Sequence, residues 1–460
     1  MLNGTLFSRM LLFAVPLMIT STLQQLFNAI DVAIIGQFAG PQAMAAVGSN
    51  GPIINLVVNL LVGMSVGSNV VIANYIGQGH REKVSATVHT TVLIALTGGI
   101  FFGLVGMISA WPILNAMDSP PDVIYMAVKY LRLYFAGIPL MALYNFCGSI
   151  LRSKGDTIRP LICLVISGIM KAGMNLLFVA VFNWGVTGVA VATIIANAIS
   201  TSMIIWMLLH EKDEFRLELG KLRFHRDHLV RIVKIGLPSG IQGMVFSLSN
   251  IFIQAAINGF GSEAIAGSSA ALNFEYFCYF VLNAFVQTTM TFTGQNYGAG
   301  NMKRCRKIWI MGMLMGTTAT LAFNLIFFAG KTVLIGLFTG VPAVAAWAYI
   351  RMKHVLLFQW IANSYEITGA AMRGMGHSTL PALISVLGTC VMRILWILTI
   401  FRQSGSFEML MDIYPITWVI TGAVTLTAYF IVRNKEEKAA EQRKKAAASC
   451  VLVNDVTPKR

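Results

Sequence analysis

The sequence predicts an all-α integral membrane protein of about twelve transmembrane helices, arranged as two six-helix bundles. Three observations carry that prediction: the scarcity of charge, the spacing of long apolar runs, and an internal repeat. Of the 460 residues, 56% are hydrophobic and 12% charged, where a soluble domain carries about 25% charged residues. Mean hydropathy is +0.70. Apolar runs of the roughly 20 residues needed to cross a bilayer are centred near Met18, Gly63, Gly98, Gly137, Lys171, Ile195, Ser247, Asn283, Gly316, Asn363, Cys390 and Ile420. The runs are continuous and do not alternate as short strands, which excludes a barrel.

The repeat has a constant offset of 221 residues, seen in the matched numbers themselves. Gly40, Ala43 and Ala45 match Gly261, Ala264 and Ala266; Gly77 and Gly79 match Gly298 and Gly300; Pro121 matches Pro342. Tyr144, Gly148, Arg152, Gly155 and Pro160 match Tyr365, Gly369, Arg373, Gly376 and Pro381. In both sets an Arg follows a span and precedes a Gly and then a Pro, which closes one helix and starts another. An even number of spans per half gives both halves the same orientation, related by a parallel pseudo-two-fold axis. Parallel repeats are a transporter architecture, with the binding region near mid-membrane. The expected units are an N-terminal bundle (1–210), a polar linker (211–234), a C-terminal bundle (235–432) and a charged tail (433–460) that reads as solvated or frayed helix.

A net charge of +15 would suggest nucleic acid until the charges are located. With twelve spans and both ends on one side, 26 of the 34 Lys and Arg fall on the terminal side. Six fall on the other (Lys129, Arg132, Lys331, Arg351, Lys353, Arg402), and Lys171 and Arg393 lie within spans. By the positive-inside rule both termini are cytoplasmic, in a multi-pass protein of a bacterial inner membrane. The basic balance is therefore topology, with no nucleic-acid partner implied. Cys147, Cys163, Cys278, Cys305, Cys390 and Cys450 are scattered, without disulfide or metal spacing. There is no G-x-x-x-x-G-K-[ST] loop, H-E-x-x-H or G-x-S-x-G, so neither an enzyme nor a cofactor is expected, and transport would draw on an ion gradient.

The first span carries the leading polar candidate. In Thr20–Asp31, Gln24, Asn28 and Asp31 fall at i, i+4 and i+7, on one helix face. An ionisable residue within a membrane helix costs about 2.5–3.5 kcal/mol on insertion scales and faces a partner or a wet cavity. The tenth span repeats the spacing with Gln359, Asn363 and Glu366. The seventh offers Asn250, Gln254 and Asn258, the eighth Glu275, Tyr279, Asn283 and Gln287, and the second Asn55 and Asn59 followed by Gly63 and Gly67. Single amides can equally join helices by hydrogen bonds, and Gly63–Gly67 reads as close helix packing. A carboxylate desolvated in a bundle can exchange a proton near neutral pH or bind a hard cation, so Asp31, Glu275 and Glu366 are candidates for ion coupling. Static ion pairs are the alternative: Lys171 could neutralise Asp31 or stand beside Asn175, and Arg393 could partner Glu366.

The stretches LFNAIDVAIIGQFAGPQAMAAVGS, SVGSNVVIANYIGQG, LYNFCGSILRSKGDTIRP, WGVTGVAVAT, GLPSGIQGM, TFTGQNYGAGN and GAAMRGMGHSTLP together resemble the multidrug and toxic compound extrusion (MATE) antiporters, nearest to the DinF-like bacterial branch. The resemblance runs from about Met10 to Arg433. It implies a V-shaped central cleft and monomeric export of small organic, cationic compounds in exchange for H⁺ or Na⁺. Asp31 matches the family's first-helix aspartate, with Asn175 and Thr193 as polar partners in a pocket that could hold Na⁺. An aspartate often found four residues after that Asn is Val179 here, which favours H⁺. The seventh-helix Glu of some sodium-coupled members aligns near Phe246, which argues against that C-terminal site, and Glu275 resembles an eighth-helix Glu of the nearer branch. Glu366 and Arg393 match positions used in that branch. A lipid-linked sugar flippase of the wider superfamily is the alternative reading.

Overall fold

A computed structural model describes residues 1–117 and 123–455, the side chains of Pro41 and of 443–455 apart. Pro121, one of the repeat matches, lies outside the described residues, as do 456–460 of the tail and the Cys450 side chain. The chain folds as α1 (Leu6–Phe38), α2 (Gly40–Gln78), α3 (Arg81–Ala116), α4 (Ile124–Lys154), α5 (Ile158–Val181), α6 (Val186–Leu209), α7 (Arg226–Asn258), α8 (Ser262–Gly298) and α9 (Met302–Ala329). It continues as the short α10 (Lys331–Gly336), then α11 (Pro342–His354), α12 (Asn363–Gly374), α13 (Thr379–Ser404) and α14 (Phe407–Asp455).

Among the described residues ten helices are long and apolar enough to cross a membrane. The remaining two crossings are α8, whose polar side chains lower its hydropathy, and α11 with α12, joined through the tight 3₁₀ segment Leu356–Ala362. Large apolar side chains such as Leu12, Ile108 and Leu337 stand 71–78% exposed, as they must where the surrounding solvent is lipid. Helical backbone is the natural response to that solvent, because each segment then satisfies its own N–H and C=O groups.

The repeat is built into the backbone. Gly79 and Gly300 take left-handed φ values of 72° and 68°, and Gly155 and Gly376 take 111° and 89°, a region that glycine enters without a Cβ penalty. Near the terminal face α2 and α8 cross reciprocally: a Cβ on Gly77 would overlap the Gln295 carbonyl oxygen, and a Cβ on Gly298 that of Asn74. Asn74 donates to the Gly374 carbonyl oxygen at 3.2 Å and Gln295 to that of Ser153 at 2.7 Å. Both pairs are related by the 221-residue offset. Such self-complementary contact is what a two-fold relation imposes.

The two halves share one hydrophobic core, running from Met10 and Phe13 through Val70 and Ile72 to Phe285 and Phe292. Phe13 meets Phe292 edge-to-face at 5.6 Å. Toward the opposite face the cores separate: one belongs to the first half alone (Ile35, Leu114, Leu131, Phe135) and another to the second (Ala271, Phe274, Ala348, Met352). The interior therefore widens away from the termini, as a V.

Three boundaries differ from expectation. The linker ends at His225, because residues 226–234 form the first turns of α7. It is pinned to α3, where the His89 imidazole accepts the Glu218 N–H at 3.0 Å and Thr90 accepts that of His225 at 3.3 Å. The tail is no separate element, since α14 continues through residue 432 to Asp455. Arg351, assigned from sequence to a loop on the far side, lies within α11 and is 3% exposed.

Candidate functional site

In the first half, Asp31 near the end of α1 faces α5. Lys171 Nζ lies 2.5 Å from Asp31 Oδ2, and Asn175 Nδ2 donates to Oδ1 at 2.5 Å. The i, i+4 spacing of Lys171 and Asn175 puts both on the α5 face that meets α1. Tyr130 and Tyr134 of α4 lie within electrostatic reach of the same carboxylate. The Asn175 Oδ1 atom is buried without a partner, and Val179 is buried one turn further on. Both Asp31 oxygens thus have a donor, one of them charged. Thr193 is half-buried and makes no hydrogen bond to the pair. Gln24 and Asn28 are exposed on α1 and reach none of these groups.

The second half places its charges differently. Glu275 on α8 receives Arg351 in a fork, Nε to Oε1 at 2.7 Å and Nη2 to Oε2 at 2.9 Å. Arg351 also donates to Ser268 Oγ at 2.7 Å, and Gln359 donates to the Glu275 backbone carbonyl at 3.0 Å. Every member is buried, so the bidentate geometry carries its full electrostatic weight. Glu366 and Arg393 do not pair. Glu366 feels Arg373 and makes no hydrogen bond among the described residues, while Arg393 lies over the Tyr414 ring at 4.4 Å. Arg373 donates instead to Gln242 Oε1 at 3.0 Å.

The polar stripe of the tenth span is not continuous. The 3₁₀ segment advances three residues per turn, so Gln359, Asn363 and Glu366 diverge. Gln359 turns to α8 and Asn363 is fully buried beside Gly316 of α9. The α8 ladder survives in part: Gln287 donates to Asn283 Oδ1 at 3.0 Å, and Tyr279, one turn before Asn283, lies within electrostatic reach of Glu366. On α7, Gln254 donates to Asn258 at 2.9 Å and Asn250 is exposed.

Between the halves on the terminal side, a Cβ on Gly63 would overlap Gly240 and one on Gly67 the Ile232 carbonyl oxygen. Asn59 donates to Ser247 at 2.7 Å and Thr291 to Asn69 Oδ1 at 2.9 Å. The expected close packing at Gly63 and Gly67 is therefore an α2–α7 seam joining the two halves. Arg351, Tyr130, Tyr134 and Gln242 were not singled out in the sequence. For Arg351 the available signal was an apolar stretch from residue 342 long enough to belong to the tenth crossing.

Two like-oriented helical repeats, joined along one face and enclosing separate polar sites, define a membrane transporter. The chain belongs to the MatE family, whose profile matches residues 16–177 and again 238–398. The starts differ by 238 − 16 = 222 residues, so the profile reads each half once. Among relatives, the chain is 25% identical over 389 residues to the probable multidrug resistance protein YoeA of Bacillus subtilis, covering 82% of this chain and 83% of that one. It is 20% identical over 426 residues to the multidrug export protein MepA of Staphylococcus saprophyticus, covering 93% and 92%. A protein named FAD transporter from Shewanella oneidensis is 22% identical over 358 residues, covering 74% and 78%. An outward-facing multidrug resistance MATE family transporter of the MOP superfamily superposes with a TM-score of 0.88 at 20% identity, over 95% of this chain and 98% of that one. A MOP superfamily transporter of Pyrococcus furiosus gives the same TM-score and coverage. These structural likenesses establish the fold.

Proposed function

We propose that the protein is an ion-coupled antiporter that exports organic, cationic compounds from the cytoplasm of a bacterium, acting as a monomer with both termini cytoplasmic. The observation that carries the reading is the Asp31–Lys171–Asn175 site, an ionisable cluster inside a membrane-spanning bundle of a family whose relatives bear multidrug-export names. A proton arriving at Asp31 removes the charge that holds Lys171, which weakens the tie between α1 and α5. That gives the two ends of a transport cycle different free energies, as alternating access requires. Protons are favoured over sodium because Lys171 already stands where a metal cation would have to coordinate. Glu366, half-buried and without a hydrogen-bond partner among the described residues, is the acidic group available to a cationic cargo. Efflux of cationic dyes from proteoliposomes under an imposed pH or sodium gradient tests the reading: flux should follow the pH gradient, and flux indifferent to either gradient would overturn it.

A further inference from the structure

The first half pairs its intramembrane lysine with an aspartate, whereas the second carries the corresponding base without the acid. The repeat offset takes Lys171 to Met392. Val386–Val391 of α13, however, forms a wide π turn, while 165–170 is ordinary α-helix. A π turn closes on one residue more than an α turn, so the register slips by one and Arg393 stands where Lys171 stands. Lys171 lies 13 residues beyond Ile158 and Arg393 lies 14 beyond Thr379, about 20 Å along the helix in both. The same offset takes Asp31 to Phe252. The second half therefore has the base at this position without the acid.

Arg393 is 3% exposed, its Nε has no acceptor, and none of its nitrogens bonds a described protein group. The ring of Tyr414 lies under its guanidinium at 4.4 Å, a ring that Arg351 also approaches at 5.7 Å, with Tyr365 and Cys390 in electrostatic reach. Among the described residues no carboxylate bonds Arg393. Both Glu275 oxygens are taken by Arg351, Asp412 binds His354 at 2.5 Å, Glu408 accepts from Ser406, and Glu366, which feels Arg373, makes no hydrogen bond to Arg393. A desolvated guanidinium with no counter-charge is unfavourable, and its planar fork matches the two oxygens of a carboxylate or phosphate.

We propose that Arg393, backed by the Tyr414 ring, is the binding position for a carboxylate or phosphate group of the transported molecule, filling the place that Asp31 fills for Lys171. The aromatic face holds the guanidinium in plane between cargoes. The proposal rests on the transport reading above and adds an acidic group to the cargo's chemistry. A cargo bearing both charges would set its basic group toward Glu366 and its acid on Arg393.

The test uses the full chain in phosphatidylcholine nanodiscs with rhodamine B, which carries a free carboxylate, and its ethyl ester, which has the same cationic ring system without the acid. The acid should bind about tenfold more tightly than the ester, equivalent to about 1.4 kcal/mol. Arg393→Met should bring the ratio near one, with Arg393→Lys between. Should Arg393→Met fail to fold, Arg393→Gln, which keeps a planar polar head without the charge, should erase the preference in its place. A ratio that survives in either variant that folds overturns the proposal, as does an ester bound as well as the acid by the unaltered protein. Loss of the preference when phosphatidylglycerol is added to the bilayer would give the position to a lipid headgroup and equally overturn the cargo assignment. Failure of the exporter reading is separate: it would appear as no gradient-driven efflux of either dye.

Discussion

The two halves of the molecule share a frame and differ in where they keep charge. The frame is reciprocal: Gly77 lies on Gln295 as Gly298 lies on Asn74, and the two amides cap Gly374 and Ser153 in the same way. Each contact fixes a small residue or an amide in both repeats at once, because a side chain added to either would meet backbone. The interior faces have no such constraint. One half holds an Asp–Lys pair bridging α1 and α5, the other an Arg–Glu fork bridging α8 and α11, with a second base left over. Symmetry is kept where backbones touch and lost where ionisable side chains pair inside each half.

The largest expected effect breaks the charge side of this comparison. Asp31→Asn keeps an acceptor for Asn175 and removes the counter-charge of Lys171, so gradient-driven efflux should fall to the level of empty liposomes. Adding Lys171→Met removes the stranded ammonium and should recover thermal stability without recovering transport. Wild-type flux in the single variant would take the coupling role from Asp31. In the second half, Arg351→Met leaves Glu275 buried and unpaired, and breaking a buried pair from one side costs about 3–5 kcal/mol. The double replacement Arg351→Met with Glu275→Met should recover most of that in a detergent melt. If the double variant melts normally and still transports, the fork is structural, and coupling belongs to the first half.

The frame is tested by an equality. Gly77→Ala and Gly298→Ala each force a methyl into a facing carbonyl, an overpacking cost of about 1–3 kcal/mol. Since the two sites are repeat mates, the two losses should agree closely in the same melting experiment. A large difference would show that the reciprocal crossing is not energetically symmetric.

How far the sequence could be read follows the same division. Gly79, Gly155, Gly300 and Gly376 were legible because a turn's demand for left-handed φ is local, and local demands recur intact at a fixed offset. Asp31 and Lys171 were legible because ionisable residues in apolar runs stand out, and they do meet. Arg351 was not, because averaging hydropathy over a span places the tenth crossing too late and leaves this arginine in a loop. The segment LLFQWIA (356–362) carries neither Pro nor Gly, so nothing local announced the 3₁₀ turn that breaks the stripe of Gln359, Asn363 and Glu366. Thr193 fits the family pattern by position, yet its hydroxyl makes no bond to the pair, a matter of helix rotation that spacing alone does not fix.

The smallest effect lies on the terminal face, where the first half meets the linker. Lys154 Nζ lies 2.9 Å from Glu211 and 2.8 Å from Asp213, and Arg159 pairs with Glu211 and with Asp156. Partial burial would raise the Glu211 carboxyl, but the hydrogen bonds and charges of Lys154 and Arg159 outweigh it and hold the group below its ordinary value of 4.5. The folded chain therefore binds this proton less readily than the unfolded chain. The stabilisation is complete above about pH 4.5 and disappears as pH falls through the lower, folded value. Water screens such a pair, so Glu211→Gln should cost about 1 kcal/mol or less at neutral pH. The variant and the parent should converge in melting temperature as pH falls from 4.5 through the lower, folded value. A gap that persists in acid would mean that Glu211 holds the linker by packing, and that charge on this face contributes to neither side of the comparison.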